Sequence, residues 1–178
     1  MKNLVIVGAG DFGREVTWLV ERINQVQQEW KIVGFADDAT ANIEVDGYPV
    51  LGNIDWLISL NTPVYIICTV SNGEKREVIC KRLLNNPLLS FATLIDPSVN
   101  LGRNTKVGDG SIVCAGTITT INTVIGENCI VNLNSTIGHD SILGNYSTLH
   151  PGVNISGKVT IGERTLLGTG AKVIQGLE

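Results

Sequence analysis

The sequence predicts an α/β + β chain: a small Rossmann-like parallel α/β domain over residues 1–95, then a left-handed parallel β-helix of hexapeptide repeats over residues 96–178. Three observations lead there. An apolar run, Asn3–Val7, goes directly into Gly8-Ala9-Gly10-Asp11-Phe12-Gly13, a GxGxxG turn between a strand and a helix. Strand-like and helix-like segments then alternate as far as residue 95, the mark of a parallel sheet with crossover helices. From Leu101 onward the chain falls into thirteen unbroken hexads.

In twelve of these hexads the first position is Leu, Ile or Val, with Thr119 the exception. The fifth is Ser, Thr, Cys, Ala or Val in twelve, with Leu177 the exception, and the second is glycine in seven. One branched aliphatic every six residues supplies an inward knob for each short strand. The small residue four further on fits a crowded corner, and glycine relieves backbone strain at the turn. Three hexads close one coil of 18 residues, and coils stack at about 4.8 Å, so positions 18 apart lie over one another. A helix would need a period near 3.6, which this stretch does not keep. Thr119 reads as a satisfied core threonine. The hexads reach Glu178 with no covering helix or loop, and an uncapped solenoid end is an open edge. The expectation is a chain truncated at this end, or a partner that covers it.

The front domain is read element by element. Asn3–Val7 is a buried strand, and Gly13–Asn24 a helix with Val16, Leu19, Val20 and Ile23 on one face. Lys31–Ala36 is a second strand, Asn53–Leu60 a short helix and Pro63–Val70 a third strand. Ser71-Asn72-Gly73-Glu74 reads as a capping box opening a helix to about Asn85. Leu89–Ile95 is a last strand, and Asp96-Pro97 the junction with the repeats. Four strands are fewer than the six or so that a dinucleotide fold uses, which favours a single nucleotide, such as a nucleotide-sugar, and argues against hydride transfer.

Composition narrows the function. Hydrophobic residues make up 43% and charged residues 17%, with a net charge of −4 and no Lys/Arg run, so neither nucleic acid nor membrane is an expected partner. No apolar stretch is long enough to span a bilayer and the start lacks a signal-peptide pattern, so the expected location is cytoplasmic. Cys68, Cys80, Cys114 and Cys129 stand singly and read as reduced, buried small hydrophobes.

The candidate residues lie in two places. At the glycine turn, backbone N–H groups and a helix N-terminus can hold a phosphate, and Asp37 and Asp38 close the second strand, where an acidic residue meets ribose or base. The alternative is that these two aspartates only cap a turn. In the repeats, the two histidines of the chain are His139 and His150. Stacking by 18 puts His139 between Ile121 and Gly157, His150 between Asn132 and Gly168, and Asp140 between Asn122 and Lys158. A histidine on a rigid prism beside a glycine gap suits a general base, and a surface histidine without a role fits as well. Asp140 either orients His139 or pairs across the coils with Lys158. Two histidines without suitably spaced cysteines supply a zinc site poorly, so no metal is expected. A non-catalytic reading also exists, in which the prism is a trimeric stalk presenting a nucleotide-binding head.

GAGDFGRE near the start, GFADD at the second strand and STIGHDSILGNYSTLHPGVNISGKVTIG in the prism together resemble the bacterial sugar acetyltransferases of the NeuD and PglD type over essentially the whole chain. The resemblance implies acetyl-CoA as co-substrate, an amine or hydroxyl of a nucleotide-linked amino sugar or sialic acid as acceptor, and a homotrimer with active sites between neighbouring prisms. It makes His139 the catalytic base, Asp140 the acidic neighbour that polarises it and Asn132 a pocket residue near the acceptor. Gly8, Ala9, Gly10, Asp37 and Asp38 match nucleotide-sugar contacts. Gly157 and Thr169 match positions lining the acetyl-CoA cleft, and Thr148 stands where some members carry a second histidine facing it. Phe12 occupies a position that is histidine in many relatives.

Overall fold

The computed structural model describes residues 1–39 and 43–178, which divide into two compact units. One comprises Met1–Ser71 with Lys75–Ala92, the other Asn72–Glu74 with Thr93–Glu178.

The first unit is a sheet with helices. Its elements are β1 (Lys2–Val7), α1 (Asp11–Val26), β2 (Trp30–Ala36), β3 (Glu44–Val45), β4 (Tyr48–Gly52), α2 (Ile54–Ile58), β5 (Val64–Cys68), α3 (Gly73–Leu83) and β6 (Leu89–Phe91). The sheet order is β3-β4-β2-β1-β5-β6, parallel throughout except for the antiparallel β3–β4 hairpin. β1 lies between β2 and β5, and the apolar runs of β1 and β5 are buried because helices cover a parallel sheet. On α1, Val16, Leu19 and Val20 face the sheet as the 3.6-residue period required. Asn53 caps α2 by accepting from the Trp56 N–H at 2.8 Å.

Two expectations about this unit need correction. The sheet has six strands among the described residues, not four. The additional pair is a hairpin turning at Asp46-Gly47, both with left-handed backbone (φ 47° and 81°). Its strands are short and one holds Pro49, so neither alternation nor an apolar run marked them. The segment 89–95 is also not one strand. It ends in this sheet at Phe91, and Leu94–Ile95 is the first rung of the prism, paired with Ile112–Val113.

The second unit is the left-handed parallel β-helix. Fourteen two-residue strands, Leu94–Ile95 to Lys172–Val173, form three parallel sheets of five, five and four. Every register advances by 18, as in Ile118↔Thr136↔Asn154 and Val124↔Ile142↔Thr160. First-position residues such as Val113, Ile125, Val131, Ile137, Leu143 and Leu149 fill the interior at 0–1% exposure. The small fifth residues are buried at the corners, and Ser111, Ser135, Ser141 and Ser147 bond neighbouring backbone carbonyls through their hydroxyls. Thr119 is indeed satisfied: its hydroxyl lies 2.8 Å from that of Thr105 and accepts from the Gly102 N–H at 3.1 Å.

The turns follow a rule the hexad pattern did not display. The residue with left-handed φ is the fourth of each hexad, from Asn104 and Gly110 through Asp140 and Tyr146 to Gly176. Asn, Asp and Gly dominate there because their side chains tolerate that conformation best. Second-position glycines have another cause than strain. An added Cβ on Gly144 would stand 2.6 Å from the Glu163 nitrogen and 2.9 Å from the Ile161 oxygen of the next coil, so the close stacking of backbones excludes it.

A pair of substitutions separates the two causes. Gly144→Ala is expected to lower the thermal midpoint by the equivalent of about 1–3 kcal/mol of overpacking. Gly152→Asn, at φ 71° with open space around it, is expected to leave the midpoint within about 0.5 kcal/mol of wild type, as benign surface changes do. Thermal melts of both variants decide; equal losses would reject the distinction.

Candidate active site

The carboxyl ends of β1, β2 and β5 meet at the glycine turn, beside the strand where the winding of the sheet reverses. Gly8 leaves β1 at φ 104°, and an added Cβ there would lie 2.8 Å from the Thr69 hydroxyl. Thr69 in turn bonds the carbonyls of Val7 and Gly8 at 3.0 and 3.1 Å. Gly10 is the N-cap of α1 and provides no side-chain cap, so none of the first-turn N–H groups is closed by it.

Asp37 and Asp38 both serve this architecture. One Asp37 oxygen accepts from the Ala9 N–H and the other from the Ala39 N–H, each at 2.8 Å. Asp38 accepts from the Ile54 N–H at the start of α2 at 2.9 Å. The turn-capping role of the pair is thus what the geometry displays. The Ala9 amide, an expected phosphate donor, is already held by a carboxylate. What the turn offers a ligand is the N-terminus of α1 for negative charge and the Asp37 oxygens for hydroxyl or N–H donors.

In the prism, His139 and Asp140 occupy the corner between the strands Thr136–Ile137 and Ile142–Leu143. The His139 Nδ1 lies 2.9 Å from Asp140 Oδ2, with both side chains a little under half exposed. Asp140 has a left-handed φ of 57°, which swings its carboxylate back beside the ring of its neighbour. Its acidity is strengthened first by the His139 hydrogen bond and next by one from Asn122, whose Nδ2 donates to Oδ1 at 3.0 Å; both hold the carboxyl below the ordinary carboxylate range. Lys158 acts in the same direction as a weaker charge, so the across-coil pairing is a minor influence beside the two hydrogen bonds.

Gly157 completes this corner. An added Cβ at 157 would fall on the His139 imidazole, 2.6 Å from Cε1 and 2.7 Å from Cδ2, with Nε2 nearer still. The ring therefore lies flat over the backbone of the next coil. An ionised carboxylate only accepts, so Nδ1 carries the hydrogen and the Nε2 lone pair remains available to take a proton. This is the arrangement of a general base held by a carboxylate.

The remaining prism candidates do not join that corner. Asn132 is 8% exposed, its Oδ1 accepts from the Leu133 N–H at 2.7 Å, and it belongs with His150 and Thr169 to the corner that follows the strands Ile130–Val131, Thr148–Leu149 and Leu166–Leu167. Thr148 is 1% exposed in the sheet face it shares with Ile112 and Ile130. In one prism, then, His139, Asp140 and Gly157 form one cluster, while Asn132 and Thr169 mark another. Among the described residues no group of three His, Cys, Asp or Glu side chains is placed to hold a metal ion, and no helix is long and apolar enough to cross a membrane.

With the geometry established, comparison with known proteins is informative. The family of the PglD N-terminal domain matches residues 3–83, and that of the bacterial transferase hexapeptide (six repeats) matches residues 122–157. The chain is similar to the acetyltransferase domain of PglB from Neisseria gonorrhoeae FA1090 in complex with acetyl coenzyme A, with 30% identity, 98% of this chain and 83% of that one covered, and a TM-score of 0.87. It is similar to WeeI from Acinetobacter baumannii AYE at 27% identity, with 98% and 81% coverage and a TM-score of 0.86. Among curated proteins it is 29% identical to a GDP-perosamine N-acetyltransferase of Escherichia coli O157:H7, over 97% of this chain and 78% of that protein.

The Asp140 carboxylate has a pH signature with a defined sign. Because its value is depressed on folding, the stability it contributes is full above the ordinary aspartate range, about 3.9, and is lost as pH falls through the depressed value. Thermal melts of wild type and Asp140→Asn across an acidic series are expected to differ by a constant amount above about pH 5 and to converge below it. A gap that widens toward acid would contradict the assignment.

Proposed function

The chain belongs to the bacterial sugar acetyltransferases of the NeuD and PglD type, and from that membership we propose that it transfers the acetyl group of acetyl-CoA to an amine of a nucleotide-linked amino sugar, with His139 as general base. The observation that carries the assignment of the base is the His139–Asp140 pair lying over Gly157.

Acetyl-CoA, when bound, supplies an acyl group already activated as a thioester, so the chain needs no serine or cysteine nucleophile. Its own residues do the rest. Asp140 holds the Nδ1–H and stabilises the imidazolium that forms, and His139 Nε2 takes the proton of the acceptor amine as that amine attacks the thioester carbonyl. Gly157, lacking a Cβ, lets the imidazole lie against the backbone of the next coil, which fixes the direction of the ring. The first unit binds the nucleotide portion, with α1 facing negative charge and Asp37 reading donors. The E. coli relative acts on a GDP-sugar, which supports an acceptor of that class over free sialic acid. The relatives are acetyltransferases, which favours this reading over a non-catalytic stalk.

A homotrimer, with sites between prisms and a cytoplasmic location, completes the proposal. The two corners of one prism divide the expected pocket residues, His139 and Gly157 on one and Asn132 and Thr169 on the next. A site built between adjacent prisms brings one corner of each together. The buried thiols of all four cysteines fit a reducing compartment.

His139→Ala is expected to lower kcat for thiol release by about 10²–10⁴, the usual worth of a general base, with the KM for acetyl-CoA little changed. Unchanged turnover would remove His139 from the mechanism. Coexpressed His139→Ala and Asn132→Ala chains are expected to regain part of the activity that each lacks alone. Failure to complement would place both residues in a site within one chain.

A further inference from the structure

The Asp140 carboxylate has two oxygens and both are engaged from within the chain. Oδ2 meets His139 at 2.9 Å, and Oδ1 accepts from Asn122 Nδ2 at 3.0 Å. Asn122 stands one coil below, and its own Oδ1 accepts from Asn104 Nδ2 at 3.0 Å, one coil lower again. Residues 104, 122 and 140 form one column, spaced by 18, each at the fourth hexad position with φ between 55° and 62°. The column has a polarity that is fixed from its top. An ionised carboxylate only accepts, so Asn122 must turn its NH₂ upward, which leaves its oxygen facing down toward the NH₂ of Asn104.

The backbone alone does not require asparagine at these positions. The same left-handed conformation is taken by Gly152, Tyr146, Lys158 and Arg164 elsewhere in the prism. What asparagine adds at 104 and 122 is the hydrogen-bonded ladder. An aspartate on an exposed turn rotates readily about its last torsion. With a fixed donor on each oxygen, the plane of the Asp140 carboxylate is set, and with it the direction from which it receives the His139 Nδ1–H.

We propose that Asn122, oriented by Asn104, is a positioning residue that locks the Asp140 carboxylate and through it the tautomer and direction of the His139 ring. The proposal rests on the reading of His139 as the base, and it adds a residue that touches neither substrate nor ring. The groups facing the imidazole and its carboxylate are Asn122, Lys158 and the Gly157 backbone. Of these, Asn122 donates the hydrogen bond to Oδ1, the carboxylate oxygen turned away from His139.

The test uses the full chain and the substitution Asn122→Gly, which keeps the left-handed turn. The readout is the ¹⁵N shift of each His139 ring nitrogen at about pH 9, where imidazoles are neutral. With two histidines in the chain, His150 serves as the internal reference. Wild type is expected to show a single Nδ1–H tautomer at His139. Asn122→Gly is expected to move both His139 shifts toward an averaged mixture, with His150 unmoved. Asn104→Gly is expected to do so by a smaller amount. In thiol-release kinetics kcat is expected to fall on the order of tenfold in Asn122→Gly, the lower range for loss of an outer partner of an oriented histidine, with KM for acetyl-CoA unchanged. His139 shifts identical to wild type in both variants would overturn the proposal, as would a change confined to KM. If His139→Ala retained full turnover, the base assignment would fall, and the tautomer shifts would still decide the positioning role.

Discussion

The constraint on which everything else depends is the parallel ladder between coils. Each backbone N–H of a rung bonds a carbonyl 17 or so residues away, for example Gly138 N–H to the Ile155 oxygen and Thr120 N–H to the Ile137 oxygen, both near 3 Å. Because the bonds are regular, every position is stacked on its equivalent in the coil beneath. Side chains far apart in sequence become permanent neighbours, and the chemistry of a corner is written by the residues of a column. His139 over Gly157 and Asp140 over Asn122 are two such columns, side by side.

The ladder also accounts for how a partly exposed dyad can be aimed. Neither His139 nor Asp140 is deeply buried, and surface ion pairs between long flexible side chains contribute little. Here both side chains are short, they sit on adjacent residues of one tight turn, and the coils above and below fix that turn. Order comes from the scaffold, so the pair need not supply its own stability in order to be aimed.

Much of this was legible in the sequence. The period of six identified the prism, and the register of 18 placed Gly157 over His139 before any coordinates. The same arithmetic named Asn122 and Lys158 as the neighbours of Asp140, though only the coordinates decided that Asn122 bonds it at 3.0 Å while Lys158 acts as a charge. Other features were hidden for physical reasons. The β3–β4 hairpin is too short and too polar to show an alternation. The first rung at Leu94–Ile95 was hidden because Asp96 stands where glycine marks later hexads; its carboxylate accepts from the Ser98 N–H and hydroxyl, and Ser98 lacks the left-handed φ of the later corners. Asp37 was read as a ligand contact or a turn cap, and its bond to the Ala9 amide depends on how β1 and β2 end side by side, which no local pattern records.

The left-handed residue recurs once in every hexad from 104 to 176 without a slip, and this leaves the prism intolerant of altered length. One residue inserted between His139 and Gly157 would keep both in the chain yet carry the glycine off its column, presenting a neighbour's side chain to the imidazole instead. Changes of length in such a chain must come as whole turns of the coil or as excursions that leave and rejoin it at one corner. Substitution is therefore the easier route by which a protein of this shape acquires a new acceptor.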